Sequence, residues 1–396
     1  MEYIKLGNSN LEVSRFCLGC MSFGDPASNM HAWTLNPEDS EKIIKHALDL
    51  GINFFDTANG YSAGTSEEYL GRAIKNNVSR DKVVLASKVY FNEGHLSKAA
   101  INREIDGTLK RLGTDYLDLY IIHRFDYGTP IEETTEALHG LVKAGKVRAL
   151  GASAMYGYQF YNMQLCARDN GFTPFSSMQN HYNPLYREDE RELIPICNQM
   201  NVALTPYSPL ASGRCARRGW DADTMRSKTD TTARGKYDST EEQDKSIAAR
   251  IYELAGKYGT TMTAITFAWH FKKGVASPIV GATKERYLDD VRREPHRRRR
   301  GVYRRIVRPP QSCGRALINL MLNKKIPRLR YFFILPGETG TLCRGIARFS
   351  DRSRRLCCRA PSLCRTSPLR IARRKRGRGR RCVCNTSRRQ FVPFLQ

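Results

Sequence analysis

Four side chains capable of acid–base chemistry recur at one interval in this sequence. Asp56 and Tyr61 lie in "FFDTANGYS", Lys88 in "VVLASKV" and His123 in "LDLYIIHR". Asp56 and Lys88 are 32 residues apart, and Lys88 and His123 are 35 apart. Each interval is about one strand–helix–strand unit. Asp56, Lys88 and His123 would therefore stand side by side at the ends of consecutive parallel strands, with Tyr61 in the loop after the first. Singly, each has an ordinary explanation: a turn aspartate, a loop tyrosine, a solvated lysine, a structurally satisfied histidine. Together they suit the reduction of a carbonyl, which needs a proton delivered to an oxygen that is gaining negative charge. A phenol with a pKa near 10 is a weak acid at neutral pH, and the Lys88 ammonium would lower that value by stabilising the phenolate. Asp56 would keep Lys88 charged and aimed, His123 would hydrogen-bond the substrate oxygen, and Tyr61 would give the proton.

The elements around these residues alternate. Strand candidates are Arg15–Leu18, Asn53–Thr57, Val83–Ser87, Leu117–Ile122, Ala149–Ala152, Ser176–Gln179, Val202–Thr205 and Pro278–Val280. Between them the periodicity predicts helices over Pro37–Leu50, Glu67–Asn76, Lys98–Leu112, Ile131–Ala144, Gln159–Asp169, Glu190–Met200 and Gln243–Tyr258. In "NPEDSEKIIKHALDLG" Asn36 caps, Pro37 opens the first turn, and Ile43, Ala47 and Leu50 recur at helical spacing before Gly51. Parallel strands need crossovers of this length, and eight such units favour a closed (β/α)8 TIM barrel of about 250 residues over an open doubly wound sheet. The open sheet would also bring a Gly-rich turn after its first strand, and neither G-x-G-x-x-G nor a P-loop motif occurs. Residues 3–14 read as a β-hairpin ahead of the first barrel strand, and Ala211–Lys245 as a long aperiodic loop. Cys17-Leu18-Gly19-Cys20 has the form C-x-x-C, but an odd offset on a strand sends the two thiols to opposite faces and no second pair follows.

The net charge of +26 belongs to one end of the chain. Residues 1–290 carry 34 basic and 36 acidic side chains, whereas residues 291–396 carry 28 Arg and 3 Lys against three acids. Seven of the 12 cysteines also fall in that tail, where Cys357-Cys358 and Cys382-Val383-Cys384 lack zinc-ligand spacing. The expected organisation is a barrel over residues 1–290, with its last helix cut short by Pro295, followed by a disordered Arg- and Cys-rich tail. The first part has the character of a reduced cytoplasmic protein with no secretory leader and no membrane span. The tail could attract nucleic acid only non-specifically, through phosphates. Translation in an altered frame after about Asp290 accounts best for its composition, and the coding DNA checks that explanation.

The motifs "DTANGY", "ASKV", "IIHR", "MQNHYNPLYR", "PYSPLASG" and "PIVGATK" resemble those of the aldo-keto reductases. "CLGCMSFGD", "HAWTL", "INFFDTA" and "YGTPIEETTEALHGLVKAGK" are similar to the bacterial YajO-like branch. The resemblance runs from about Met1 to Asp290. It implies an NADPH-dependent barrel that reduces aldehydes and ketones to alcohols without a metal, with Tyr61 as proton donor. It also implies that Tyr207 stacks on the nicotinamide and that Ser153 and Gln179 hydrogen-bond its carboxamide. Ser208, Leu210 and Ser212 would line the pyrophosphate path, and Thr283 and Lys284 would meet the adenosine 2′-phosphate, where a cation and hydroxyls suit that anion. Arg214, Arg217 and Arg218 either meet the pyrophosphate or are simply solvated. Ala154 stands where many relatives have Asn, and Tyr287 where Gln or Arg is common, which predicts weaker NADPH binding. Two alternatives have other functions: an NADPH-binding sensor or regulatory barrel with little turnover, and a basic-tailed nucleic-acid binder.

Overall fold

The computed structural model describes residues 1–28, 31–219 and 225–292, and the short segments 331–333 and 343–345. The chain divides into two units, Met1–Pro309 and Pro310–Gln396. In the second, Tyr331–Phe333 pairs antiparallel with Cys343–Gly345. The rest of the arginine-rich tail lies outside the described residues. With it lie Pro295, the paired tail cysteines and the expected nucleic-acid contacts.

The first unit opens with an antiparallel hairpin, β1 (Tyr3–Lys5) and β2 (Glu12–Ser14). Eight parallel strands follow: β3 (Cys17–Gly19), β4 (Phe54–Asp56), β5 (Val84–Val89), β6 (Leu117–Ile122), β7 (Val147–Ser153), β8 (Phe175–Gln179), β9 (Ala203–Leu204) and β10 (Ile279–Gly281). Each pairs with the next in sequence, and β10 pairs back with β3. The remaining seam, β9 to β10, is joined by backbone bonds from Ala276 N–H to the Leu204 carbonyl and from Ile279 N–H to that of Pro206, both 3.0 Å. The sheet is thus a (β/α)8 barrel. Helices α1 (Pro37–Asp49), α2 (Thr65–Asn77), α3 (Lys98–Leu112), α4 (Ile131–Lys143), α5 (Gly157–Asp169) and α6 (Leu193–Gln199) connect successive strands. The α1 cap is as the sequence predicts, Asn36 Oδ1 accepting from Asp39 N–H at 2.8 Å.

Side-chain alternation along the strands sorts the interior. Cys17, Phe54, Val84, Ala86, Leu119 and Ile121 face the barrel axis with Leu6, Leu11 and Val13 of the hairpin. Leu18, Phe55, Leu85, Tyr120 and Ile122 face the helices. Continuing the inward phase two residues at a time leads from Phe54 to Asp56, from Ala86 to Lys88 and from Ile121 to His123. The hairpin closes the opposite mouth. There Gly7, at φ +57°, sits so close that a Cβ would collide with the Ser176 carbonyl oxygen.

Three segments depart from the sequence expectation. Ala211–Lys245 is largely structured: α7 (Met225–Thr229) and α8 (Thr231–Tyr237) precede α9 (Glu241–Tyr258). Asp230 caps α8 through Ala233 N–H at 2.8 Å. A further helix, α10 (Met262–Lys272), had no amphipathic stripe to announce it, because residues 262–270 are all buried. After β10 the chain makes two 3-10 turns, Glu285–Tyr287 and Asp289–Arg292, instead of starting an α-helix near Lys284. Leu288 and Val291 are nevertheless buried in the main core, so this corner of the barrel keeps part of the cover expected to be missing.

Candidate active site

The C-terminal ends of β4, β5 and β6 bring the expected cluster together. Lys88 is fully buried and Asp56 is 2% exposed. The ammonium uses all three of its donors: to Asp56 Oδ1 at 2.5 Å, to the Thr57 carbonyl at 2.8 Å and to the Tyr61 hydroxyl at 3.1 Å. Tyr61 sits in a short turn in which Ser62 and Ala63 are left-handed, at φ 46° and 54°. Its ring meets that of His123 edge-on, with centroids 5.8 Å apart. His123 Nδ1 is buried without a hydrogen-bond partner, which leaves Nε2 as the ring nitrogen open to the mouth.

The electrostatics follow from this packing. Burial pushes the Tyr61 phenol above its ordinary value, and Lys88 pulls it back only in part. The expected net lowering therefore does not occur: desolvation of the phenolate outweighs the field of one ammonium that Asp56 also neutralises. Burial opposes the charge on Lys88 as well, but Asp56 and Tyr61 more than offset it, and the amine is held above the usual lysine range. Burial, then the charges of Lys88 and Arg124, depress His123 well below the ordinary histidine value, so its imidazole is neutral at pH 7.

A second layer fixes the first, and little of it was evident from spacing. Gln179, at the end of β8, donates from Nε2 to Asp56 Oδ2 at 2.8 Å, and Ser153 Oγ donates to the Gln179 carbonyl at 2.7 Å. Asn59 ties the Tyr61 loop to α3 through Glu104 at 2.9 Å. Behind Lys88, the buried Glu67 carboxylate accepts from Ser87 Oγ and from Arg111 Nε, the latter at 2.6 Å. Glu67 falls on a helical stripe and gave no sign of being charged and enclosed.

The residues expected at the cofactor occupy the same rim. Ser153 and Gln179 are adjacent by register. The Gln179 amide nitrogen donates to Asp56, which leaves its Oε1 available as an acceptor. Tyr207 follows β9, its ring parallel to His181 at 5.1 Å and under Lys236 Nζ at 4.7 Å. Ser208 and Ser212 are left-handed, at φ 51° and 54°, and Leu210 lies between them, half-buried. Thr283 is half-buried and Lys284 exposed, both just beyond β10. Hydroxyls, half-buried left-handed turns and a lysine arranged along one edge fit a dinucleotide phosphate path. Of the loop arginines, Arg214 pairs with Asp238 at 2.6 Å, Arg217 Nε donates to the Gly219 carbonyl, and Arg218 lies over Tyr252 of α9. His181 packs between Tyr186 and Tyr207 and shares a 2.8 Å hydrogen bond with the Tyr237 hydroxyl. Cys17 and Cys20 are both buried and free. Seven of the eight non-glycine residues with left-handed backbone among the described residues lie in loops that leave the C-terminal ends of strands. Strain of this kind concentrates where a site is built.

A parallel barrel with a phenol, an ammonium, a carboxylate and an imidazole at its C-terminal mouth defines a class of barrel enzymes. The model of the aldo/keto reductase family matches residues 15–293. The aldo-keto reductase AMT2 of Alternaria alternata is 40% identical over 320 residues, covering 73% of this chain and 86% of its own length. The versiconal hemiacetal acetate reductase of Aspergillus parasiticus is 40% identical over 315 residues, covering 73% and 91%. The aldo-keto reductase dtxS3 of Metarhizium robertsii is 38% identical over 310 residues, covering 71% and 83%. The chain belongs to the aldo/keto reductase family and is an oxidoreductase. Among the described residues, no helix is long and apolar enough to cross a membrane.

Proposed function

We propose that this chain reduces aldehydes and ketones to alcohols with NADPH in the cytoplasm, and that residues 1–290 carry the whole site. The observation that carries the proposal is the full engagement of the Lys88 ammonium. Because Lys88 donates to the Tyr61 oxygen, the tyrosine's own O–H is directed elsewhere, toward the mouth it shares with His123. When bound, NADPH would supply a hydride for the carbonyl carbon. Tyr61 delivers its proton to the carbonyl oxygen, Lys88 steadies the resulting phenolate, and Asp56 with Gln179 holds Lys88 in place. Neutral His123 donates from Nε2 to the same oxygen as its charge grows. Ser153 and the Gln179 Oε1 would hold the carboxamide, Tyr207 would support the nicotinamide ring, Ser208, Leu210 and Ser212 would border the pyrophosphate, and Thr283 with Lys284 would hold the 2′-phosphate.

Loss of NADPH absorbance with a panel of aldehydes tests the function. Tyr61→Phe should lower kcat by about 10²- to 10⁴-fold while leaving NADPH binding intact, the usual range for a general acid. Unchanged turnover in that variant refutes the role. Equal affinity for NADH and NADPH refutes the phosphate contacts of Thr283 and Lys284. The motifs "CLGCMSFGD" and "HAWTL" group the chain with the bacterial YajO-like branch, and a family tree that places it elsewhere overturns that grouping.

A further inference from the structure

Among the described residues, two cations stand beside the site without a carboxylate of their own. Arg124, the residue after His123, makes no ion pair or hydrogen bond among the described residues, and its guanidinium carbon lies 5.5 Å from the centroid of Phe91. Lys236 lies over the Tyr207 ring at 4.7 Å and likewise has no ion pair among the described residues. Two described acids of the same segments, Asp126 and Asp230, are committed. Asp126 accepts from Leu96 N–H, Gly128 N–H and the Thr129 hydroxyl. Asp230 caps α8 and pairs with Arg226 at 3.1 Å. Arg124 contributes to the depression of both His123 and Lys236, so its charge is felt at the mouth.

Phe91 supplies the other half of the feature. It is 52% exposed, and its ring meets His123 edge-on at 4.9 Å. A half-exposed aromatic ring that meets the imidazole edge-on, with a guanidinium lying over it that has no ion pair among the described residues, makes a subsite with an apolar wall and a cationic end. A planar guanidinium in such a place favours bidentate contact with a carboxylate.

We infer that Arg124 is a specificity-determining residue selecting aromatic carbonyl substrates with a carboxylate on the ring, an inference that rests on the carbonyl-reducing function proposed above. The aryl group lies against Phe91, its carbonyl oxygen reaches Tyr61 and His123, and its carboxylate reaches Arg124.

The test compares 4-carboxybenzaldehyde with its neutral counterpart, methyl 4-formylbenzoate, using the full chain and NADPH. The wild-type kcat/KM should favour the acid. Arg124→Gln should lower the acid-to-ester ratio by about 10- to 100-fold, the range for one charge-assisted hydrogen-bonded contact. Arg124→Lys should retain part of the preference. An acid-to-ester ratio that is near one in the wild type, or unchanged in Arg124→Gln, overturns the inference while leaving carbonyl reduction standing. Arg124→Gln weakening NADPH binding with an unchanged ratio also overturns it, assigning Arg124 to the cofactor. If the wild type reduces neither compound nor any other aldehyde, the proposed function itself fails.

Discussion

Replacing Lys88 by methionine tests stability and catalysis in one variant. The ammonium is fully buried and satisfies Asp56, the Thr57 carbonyl and Tyr61 together. Methionine fills similar volume but leaves Asp56, 2% exposed, with Gln179 as its remaining side-chain partner. Removing one member of a buried pair costs about 3–5 kcal/mol, chiefly because the other charge is stranded. Replacing both, in Asp56→Leu with Lys88→Met, strands neither, so the double variant should lose far less than the two single losses combined. Because the folded-state pKa of Lys88 is raised, its contribution is complete below the ordinary lysine range and disappears only as pH rises through the raised value. Urea unfolding at pH 7 therefore measures the pair at full strength. The same variant leaves burial of Tyr61 unopposed, and kcat should fall by about 10²- to 10⁴-fold. Additive losses across the cycle, or a Lys88→Met protein as stable as the wild type, would refute the buried-pair account.

Three further outcomes are expected. His270 is fully buried, and burial holds its pKa down at about 4 despite the bond to the Pro209 carbonyl. An unfolded histidine takes up its proton near pH 6.5, so stability falls as pH drops from there toward 4. Between pH 7 and 5 this one residue accounts for about 2 kcal/mol, and His270→Gln should remove that share from the pH dependence of urea unfolding. Leu288→Ala should cost about 2–5 kcal/mol, and an unchanged midpoint would mean that the turn after β10 is not packed. Ala154 is left-handed at φ 45°, which disfavours alanine by roughly 1–2 kcal/mol and suits asparagine better. Ala154→Asn should therefore raise thermal stability and tighten NADPH binding, and a fluorescence titration with no change in affinity would count against the expectation that Ala154 weakens cofactor binding.

The barrel was legible because each strand–helix unit repeats the same two periodicities, and because Asp56, Lys88 and His123 share the inward phase of neighbouring strands. What escaped notice lacked a pattern of its own. Helix α10 is apolar on every side, so no stripe marks it. Helix α8 is a short polar segment held by the Asp230 cap and by burial of Tyr237. The Gln179–Asp56 bond joins residues 123 positions apart, and only closure of the barrel brings them together. The direction of the Tyr61 shift depends on how completely the ring is enclosed, which no spacing reports. Arg124 reads as one more surface cation until the one acid of its loop, Asp126, is seen to be occupied.

The hairpin under the barrel bears on the order in which this chain can mature. Its Gly7 packs against the Ser176 carbonyl and the backbone at Asn201 and Ala203, and Asn8 Nδ2 donates to the Phe175 carbonyl at 3.3 Å. The hairpin thus finds its seat only after some two hundred further residues have been made, an interval of roughly 10–40 s at ordinary elongation rates. Until then Leu6, Leu11 and Val13 lack a complete barrel floor to cover, and the hairpin is held back for the closing step of assembly.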